Sequence, residues 1–361
     1  MEKPKIKALV DDVDYFIGVD HQKKTSYVTI KDRQGEVVKR GGIVTTKASI
    51  ADFLNITRDT GDGDGDPRIM AVMECGRAYR PMYGWLSDMV DEVVLAHPRG
   101  LKIISETVYK DDKIDSGKLT DLLMLGMVPR SYAASGEAWA RRMILRHRVM
   151  LVRMQTTIKN RIHVIADLHP DALPRKPEVS DLFGNLGLDW LRRVDLPRPE
   201  RWRLDELLEL LEQLKVKISN SESLIRKIVK QDKRCSLLKT IPGIGDFFSA
   251  LIVAEVDDIG RFPSAKHFVS YIGLVPRMDK SGSTERGGGL HKQGNSYLRW
   301  AFVEAAPHAA NSNLSLKDLY SRICARRGKK AGPNIAKCAV ARRLAEIAYS
   351  VLKEGRPYEN R

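Results

Sequence analysis

Two short apolar runs, each closed by an acid, constrain this chain more than any other feature. Residues 15–20 read YFIGVD and residues 68–74 read RIMAVME. Short runs of aromatic, aliphatic and β-branched residues bounded by turn formers describe buried strands. Asp20 and Glu74 then stand where a core strand ends. A carboxylate there is costly unless it is solvated, paired or bound to a cation. Taken singly, each is equally an exposed acid in a turn.

The sequence around these runs supplies the rest of a sheet. After Asp20 the chain turns through HQKK into a second β-rich run, residues 25–30, and Gln34-Gly35-Glu36 turns it again into a third, residues 37–45. Ile50, Phe53 and Leu54 have helical spacing, a helix is predicted over residues 79–89, and residues 92–96 read as a strand. The order β-β-β-α-β-α-β predicts a mixed sheet flanked by helices. The alternating Gly and Asp of residues 61–66 are read as a solvated loop. No helix pair flanks them, and no terminal Glu follows at the offset a calcium loop requires.

Residues 109–125, YKDDKIDSGKLTDLLML, predict a helix starting near Asp112. Asp112 and Asp115, three apart, share one face of its first turn. Acids in a first turn also complement the helix dipole. As a set, however, Asp20, Glu74, Asp112 and Asp115 place two acids at strand ends and two on one helix face. Ions of the Mg²⁺ type take clustered carboxylate oxygens, and two-metal phosphodiester chemistry uses about four acids around ions roughly 4 Å apart. This D-E-D-D set predicts a ribonuclease-H-like or Holliday-resolvase-like α/β domain.

Composition narrows the partner. The 361 residues carry 61 Lys and Arg against 46 Asp and Glu, a net charge of +15. Such an excess favours a polyanion, either nucleic acid or an anionic membrane surface. No apolar run is long enough to span a bilayer, and the first residues lack the apolar core of a signal peptide, which makes membrane the weaker choice. The four cysteines are scattered without a CxxC pair, so neither a zinc site nor a disulfide framework is expected. A cytoplasmic nucleic-acid protein is the expectation.

Beyond residue 132 the character changes. Residues 138–166 form a long basic helix, a Pro-rich break follows, and a second long helix begins near Pro199. Its positions Leu204, Leu207, Leu211, Leu214, Ile218, Ser221, Ile225 and Ile228 step by threes and fours, a coiled-coil seam. That seam is expected to mediate self-association. The partition expected is residues 1–133, 134–234 and 235–361. The last part opens on Ile241-Pro242-Gly243-Ile244-Gly245, a helix-hairpin-helix signature whose Gly243 and Gly245 permit close backbone approach to a phosphate. A tight interhelical turn explains the same residues. A polar, Gly-rich loop then carries Ser281, Arg286 and Lys292 before a helix from Asn295 with Arg299 in its first turns. A serine ringed by cations can attack a phosphodiester while the cations stabilise the transition state. Ser-Gly is also common in loops, and no Ser-His-Asp arrangement is evident.

The segments IGVDHQKK, VMECGR, YKDDKIDSGKL, IPGIG and YIGLVPRMDKSGS…GLHKQGNSYLRWAFVEAA, in that order, resemble the DEDD transposases of the "one-ten" family of bacterial insertion sequences. These are related to the Piv/MooV invertases and known as bridge recombinases. The resemblance implies a RuvC-like N-terminal domain, a coiled-coil arm and a helical C-terminal transposase domain. It also implies that Asp20, Glu74, Asp112 and Asp115 bind Mg²⁺ and that Ser281 is the nucleophile of a covalent phosphoserine intermediate. Asp111 precedes Asp112 where the family often has Thr, so either can fill the third position. The loop after Ser281, GGGLHKQG, also departs from the basic stretch ending in I-S-K that many relatives carry. The implied partners are target and donor DNA, a structured noncoding bridge RNA, and further copies of the chain, as dimer and tetramer. Two other classes stay open: a metal-dependent junction nuclease without the covalent step, and a non-catalytic nucleic-acid assembly protein.

Overall fold

The computed structural model describes residues 12–59, 66–104, 112–169, 181–281, 284–290 and 293–359. The Gly-Asp run at 61–65, Asp111 and Lys292 lie outside them, as do the side chains of Asp112, Ser281 and Arg286. The chain divides into two compact units, Met1–Ala133 and Ala134–Arg361.

The first unit is built on β1 (Tyr15–Asp20), β2 (Thr25–Asp32) and β3 (Val37–Val44), followed by α1 (Lys47–Leu54) and the short α2 (Ile56–Asp59). Then come β4 (Ile69–Glu74), α3 (Tyr79–Ser87), β5 (Glu92–Ala96), α4 (Pro98–Ile104) and α5 (Asp112–Met124). The strands form one sheet in the order β3-β2-β1-β4-β5. β1, β2 and β3 pair antiparallel, whereas β4 pairs parallel with both β1 and β5. This mixed sheet is consistent with the ribonuclease-H/RuvC-like reading. Because side chains alternate along a strand, the sheet has two distinct faces. Ile17, Val19, Ala71 and Met73 pack with Ile50, Phe53, Met82 and Leu86 of α1 and α3. Phe16, Met70, Val72, Val94 and Ala96 pack instead with Leu119 and Leu123 of α5.

The second unit contains α6 (Gly136–Leu168), α7 (Asn185–Arg193), α8 (Arg198–Gln231), α9 (Lys233–Leu238), α10 (Asp246–Val256) and α11 (Ala265–Ile272). A two-stranded ribbon follows, β6 (Pro276–Ser281) and β7 (Thr284–Leu290), then α12 (Ser296–Ser312) and α13 (Leu314–Glu354). The seam read from the sequence is real, but its partner is within the chain. Leu204, Leu207, Leu211, Leu214 and Ile218 are buried, and their neighbours include Ile158, Ile162, Ile165 and Leu151 of α6. The expectation that this seam joins two chains is therefore corrected: α6 already covers it. The Gly-rich stretch read as a loop is also corrected, since its backbone forms the β6–β7 ladder. It lacks the alternating apolar side chains that mark a strand, so only main-chain pairing defines it. No helix among the described residues is long and apolar enough to cross a membrane.

In the first unit, α5 lies against the sheet at Gly18. A Cβ built there would overlap the carbonyl oxygen of Ser116 and the hydroxyl of Thr120. Thr29, which registers with Gly18, shares a 2.8 Å hydrogen bond with the Ser116 hydroxyl. Gly18→Ala should push α5 off the sheet and destabilise the first unit by about 1–3 kcal/mol, the usual range for overpacking a filled core. Urea denaturation checks this, and an unchanged midpoint would mean the helix has room to move.

Candidate catalytic site

Asp20 and Glu74 end neighbouring parallel strands. Val19 registers with Met73, so the two acids follow the last paired residues on adjacent strands. The alternation that sends Phe16 and Gly18 toward α5 sends Asp20 the same way. Met70 and Val72 likewise set the side for Glu74. Asp20 is half-buried and Glu74 exposed. Ser116 sits beside Gly18, whereas Leu119 and Leu123 join the cluster of Val13 and Phe16. The helix therefore starts at the end of the sheet where β1 and β4 finish, and runs back along β1. Asp112 is its first residue, and half-buried Asp115 precedes Ser116. The fold thus brings the four acid positions to one end of one sheet face.

Two residues that sequence reasoning passed over complete this end. His21, next to Asp20, lies 3.2 Å by Nδ1 from the Ser26 hydroxyl and 3.1 Å by Nε2 from the carbonyl oxygen of Ala78. Burial lowers its pKa, outweighing the opposite pull of the Ala78 bond. A neutral ring donating from Nε2 to Ala78 and accepting at Nδ1 suits both partners. It ties the turn after Asp20 to the segment after Glu74. Cys75 is half-buried beside Glu74, and burial first, then the Glu74 carboxylate, pushes its thiol up. The adjacency of His21 to Asp20 and of Cys75 to Glu74 was visible in the sequence, but their partners were not.

The donor chemistry fits a hard divalent ion, because all four candidate positions carry carboxylates. Among the described residues, no three His, Cys, Asp or Glu side chains are close enough to share an ion. The set requires Asp112, whose side chain is not described.

In the second unit, Ser281 is the last residue of β6 and pairs in register with Thr284, at the end of the ribbon, while Arg286 lies on β7 opposite Asp279. Arg299 on α12 donates to the carbonyl oxygen of Ile272 at 3.3 Å. The two glycines of the α9–α10 turn differ. Gly243 has φ of 82°, and a Cβ there would overlap the backbone of Ala305 in α12, so internal packing accounts for it. Gly245, the exposed residue capping α10, has open space where a side chain would stand. Of the pair, Gly245 is the one whose backbone stands open.

The ribbon leads into α12 through a residue absent from the sequence-based site. Asn295 caps α12 by accepting from the N–H groups of Tyr297 and Leu298, and donates at 2.8 Å to Glu255. Glu255 is fully buried on α10 and receives two bonds from Arg146 of α6, at 2.8 and 2.9 Å. A buried Glu inside the apolar run FFSALIVAEV was its only sequence signal.

Comparison with known proteins fits both halves. Residues 17–169 match the model for the DEDD transposase of IS110, described as "Transposase". Residues 235–321 match a second, described as "Transposase IS116/IS110/IS902 family". The chain belongs to the IS110/IS116 family of DEDD transposases. The first match spans Asp20, Glu74, Asp112 and Asp115, and the second spans the α9–α10 turn, the ribbon and Asn295. A probable family 20 transposase of Pseudomonas aeruginosa is 26% identical over 93% of this chain and 96% of its own. The transposase for insertion sequence element IS1111A of Coxiella burnetii is 30% identical over 39% of each chain. A pilin gene-inverting protein of Moraxella bovis is 33% identical over 36% of this chain and 39% of its own. As a transposase, the chain is an enzyme that acts on DNA, and DEDD transposases are as a class metal-dependent.

Proposed function

We propose that this transposase cleaves and rejoins DNA through Asp20, Glu74, Asp112 and Asp115 holding Mg²⁺ and through Ser281 as nucleophile. The observation that carries the reading is the convergence of the four acid positions at one end of one sheet face. An ion held there supplies Lewis-acid stabilisation of a phosphodiester under attack. The Ser281 oxygen bonds to phosphorus while a deoxyribose oxygen leaves with the electron pair and takes up a proton. The reverse attack by a DNA hydroxyl restores the serine, so no net hydrolysis occurs. Arg286, Lys292, Arg299 and Gly245 are assigned to the DNA backbone. A structured noncoding RNA, implied by the family resemblance, selects the target and donor sequences by base pairing. With purified chain, RNA, Mg²⁺ and both DNAs, recombination should fall to background in Asp20→Asn, in Glu74→Gln, in excess EDTA, or without RNA. Each variant should keep wild-type melting. Full activity in either acid variant or in EDTA would remove the metal assignment, and RNA-independent recombination would remove the guide.

The active form is assigned as a homo-oligomer, and what supports this is a second seam on α6. Steps of four and three run through 143, 147, 150, 154, 157, 161, 164 and 168, the coiled-coil spacing. Met143, Met150, Met154, Val164 and Leu168 on it are all exposed, at 61%, 48%, 48%, 52% and 65%. Met150→Glu with Met154→Glu should reduce the oligomer mass by light scattering and leave the fold intact. Leu211→Glu, on the seam buried within the chain, should instead unfold the second unit. An unchanged mass in the methionine variant would assign this face another role.

A further inference from the structure

The second matched region ends at residue 321, and just beyond it the sequence becomes wholly basic. Between Asp318 and Glu346 stand Arg322, Arg326, Arg327, Lys329, Lys330, Lys337, Arg342 and Arg343, with no acid among them. The helix bearing them is bent at Gly328, where φ is 75° and ψ 172°. The bend is a reversal. A Cβ on Gly332 would lie 2.9 Å from Cα of Cys324. Residues eight apart in a straight helix are about 12 Å apart along its axis. The limbs 314–327 and 329–354 therefore fold back on one another. Leu316 on one limb and Ala336, Val340 and Ala341 on the other are buried, so the hairpin is rooted in the core and its tip stands clear.

At that tip Arg326, Arg327, Lys329 and Lys330 are exposed, and the side chain of none makes a hydrogen bond or ion pair with a described residue. Some exposed arginines elsewhere pair locally, as Arg193 does with Asp189, Arg343 with Glu346 and Arg356 with Glu354, whereas these four cations stand together with no acid partner among the described residues. Like charges this close in sequence repel, and no acid among the described residues pairs with them. We infer that this helical-hairpin tip is a binding surface for the phosphate backbone of double-stranded DNA. The inference rests on the reading that the chain acts on DNA. Three features favour a duplex backbone over other occupants. Arginine and lysine are the side chains suited to phosphate oxygens. Single strands are held largely by aromatic stacking, and residues 321–337 contain no aromatic side chain. A single helix, about 10–12 Å across, fills the major groove, about 12 Å wide. Two limbs side by side exceed it and rest on the phosphates, so binding is independent of sequence.

The test measures affinity of the full chain for a duplex of arbitrary sequence across a salt series. Replacing Arg326, Arg327, Lys329 and Lys330 together by Gln should lower the slope of log affinity against log salt by about 3 to 4, from four lost phosphate contacts. Lys329→Gln with Lys330→Gln should give about half that loss. Both variants should melt as wild type does. A control that removes the same charge from α8, with Lys217, Arg226, Lys227 and Lys230 changed to Gln, should keep the wild-type slope. An equal loss in that control would overturn a localised site in favour of net charge. An unchanged slope in the tip variants, or a loss confined to RNA, would overturn the duplex-DNA assignment while leaving the transposase reading standing. Wild-type chain that fails to bind the duplex at all would take down both.

Discussion

The arrangement of the acids depends on one steric allowance, the missing side chain at Gly18. A residue with a Cβ would hold α5 away from β1, and with it the start of the helix that carries Asp112 and Asp115. Because Gly18 is two residues before Asp20, the point of closest approach and the first acid face the same side. The Thr29–Ser116 bond and the ion pair between Lys31 and Asp121 hold the helix along β2. His21 then joins the turn after Asp20 to the segment after Glu74. Packing, register and one ring thus fix acids that come from three separate parts of the sequence.

The second unit uses a buried charge where the first uses a close approach. Glu255 has no solvent exposure, and a carboxylate so placed is stable only when fully bonded. Arg146 forks onto it and Asn295 completes the set, while Arg142 donates to the carbonyl oxygens of Ala254 and Glu255 at 2.7 and 2.9 Å. Removing one partner from such a group typically costs about 3–5 kcal/mol. The bonds tie α6, α10 and the first turn of α12 together, and so fix the chain immediately after the ribbon that carries Ser281.

Much of the first unit was legible in the sequence because buried strands and their acid ends are local signals. YFIGVD and RIMAVME gave two strands and their last residues, and DKIDSGKL gave the start of α5. What alternation alone cannot say is which acids share a face, since that depends on pairing between strands far apart in the chain. The seam on α8 was legible as spacing, but spacing does not identify its partner, and α6 of the same chain is that partner. The β6–β7 ribbon escaped because glycines and charged residues carry no apolar alternation. Gly243 read as a phosphate contact because a glycine that packs against a helix and one that meets a ligand look alike in sequence. Glu255 and Asn295 escaped for the opposite reason: each is a polar residue whose partners lie far away along the chain.

The central claim is that Ser281 becomes covalently joined to DNA, and trapping that bond tests it most directly. On a nicked suicide substrate, wild-type chain with Mg²⁺ and guide RNA should accumulate a protein–DNA adduct resistant to denaturation. Ser281→Ala, which deletes one hydroxyl, should abolish the adduct while keeping the fold and nucleic-acid binding, and Ser283→Ala should retain it. Free DNA ends without an adduct, with Ser281→Ala still cutting, would contradict the account and leave a metal-dependent nuclease. An adduct that survives Ser281→Ala and vanishes in Ser283→Ala would move the nucleophile to the neighbouring serine.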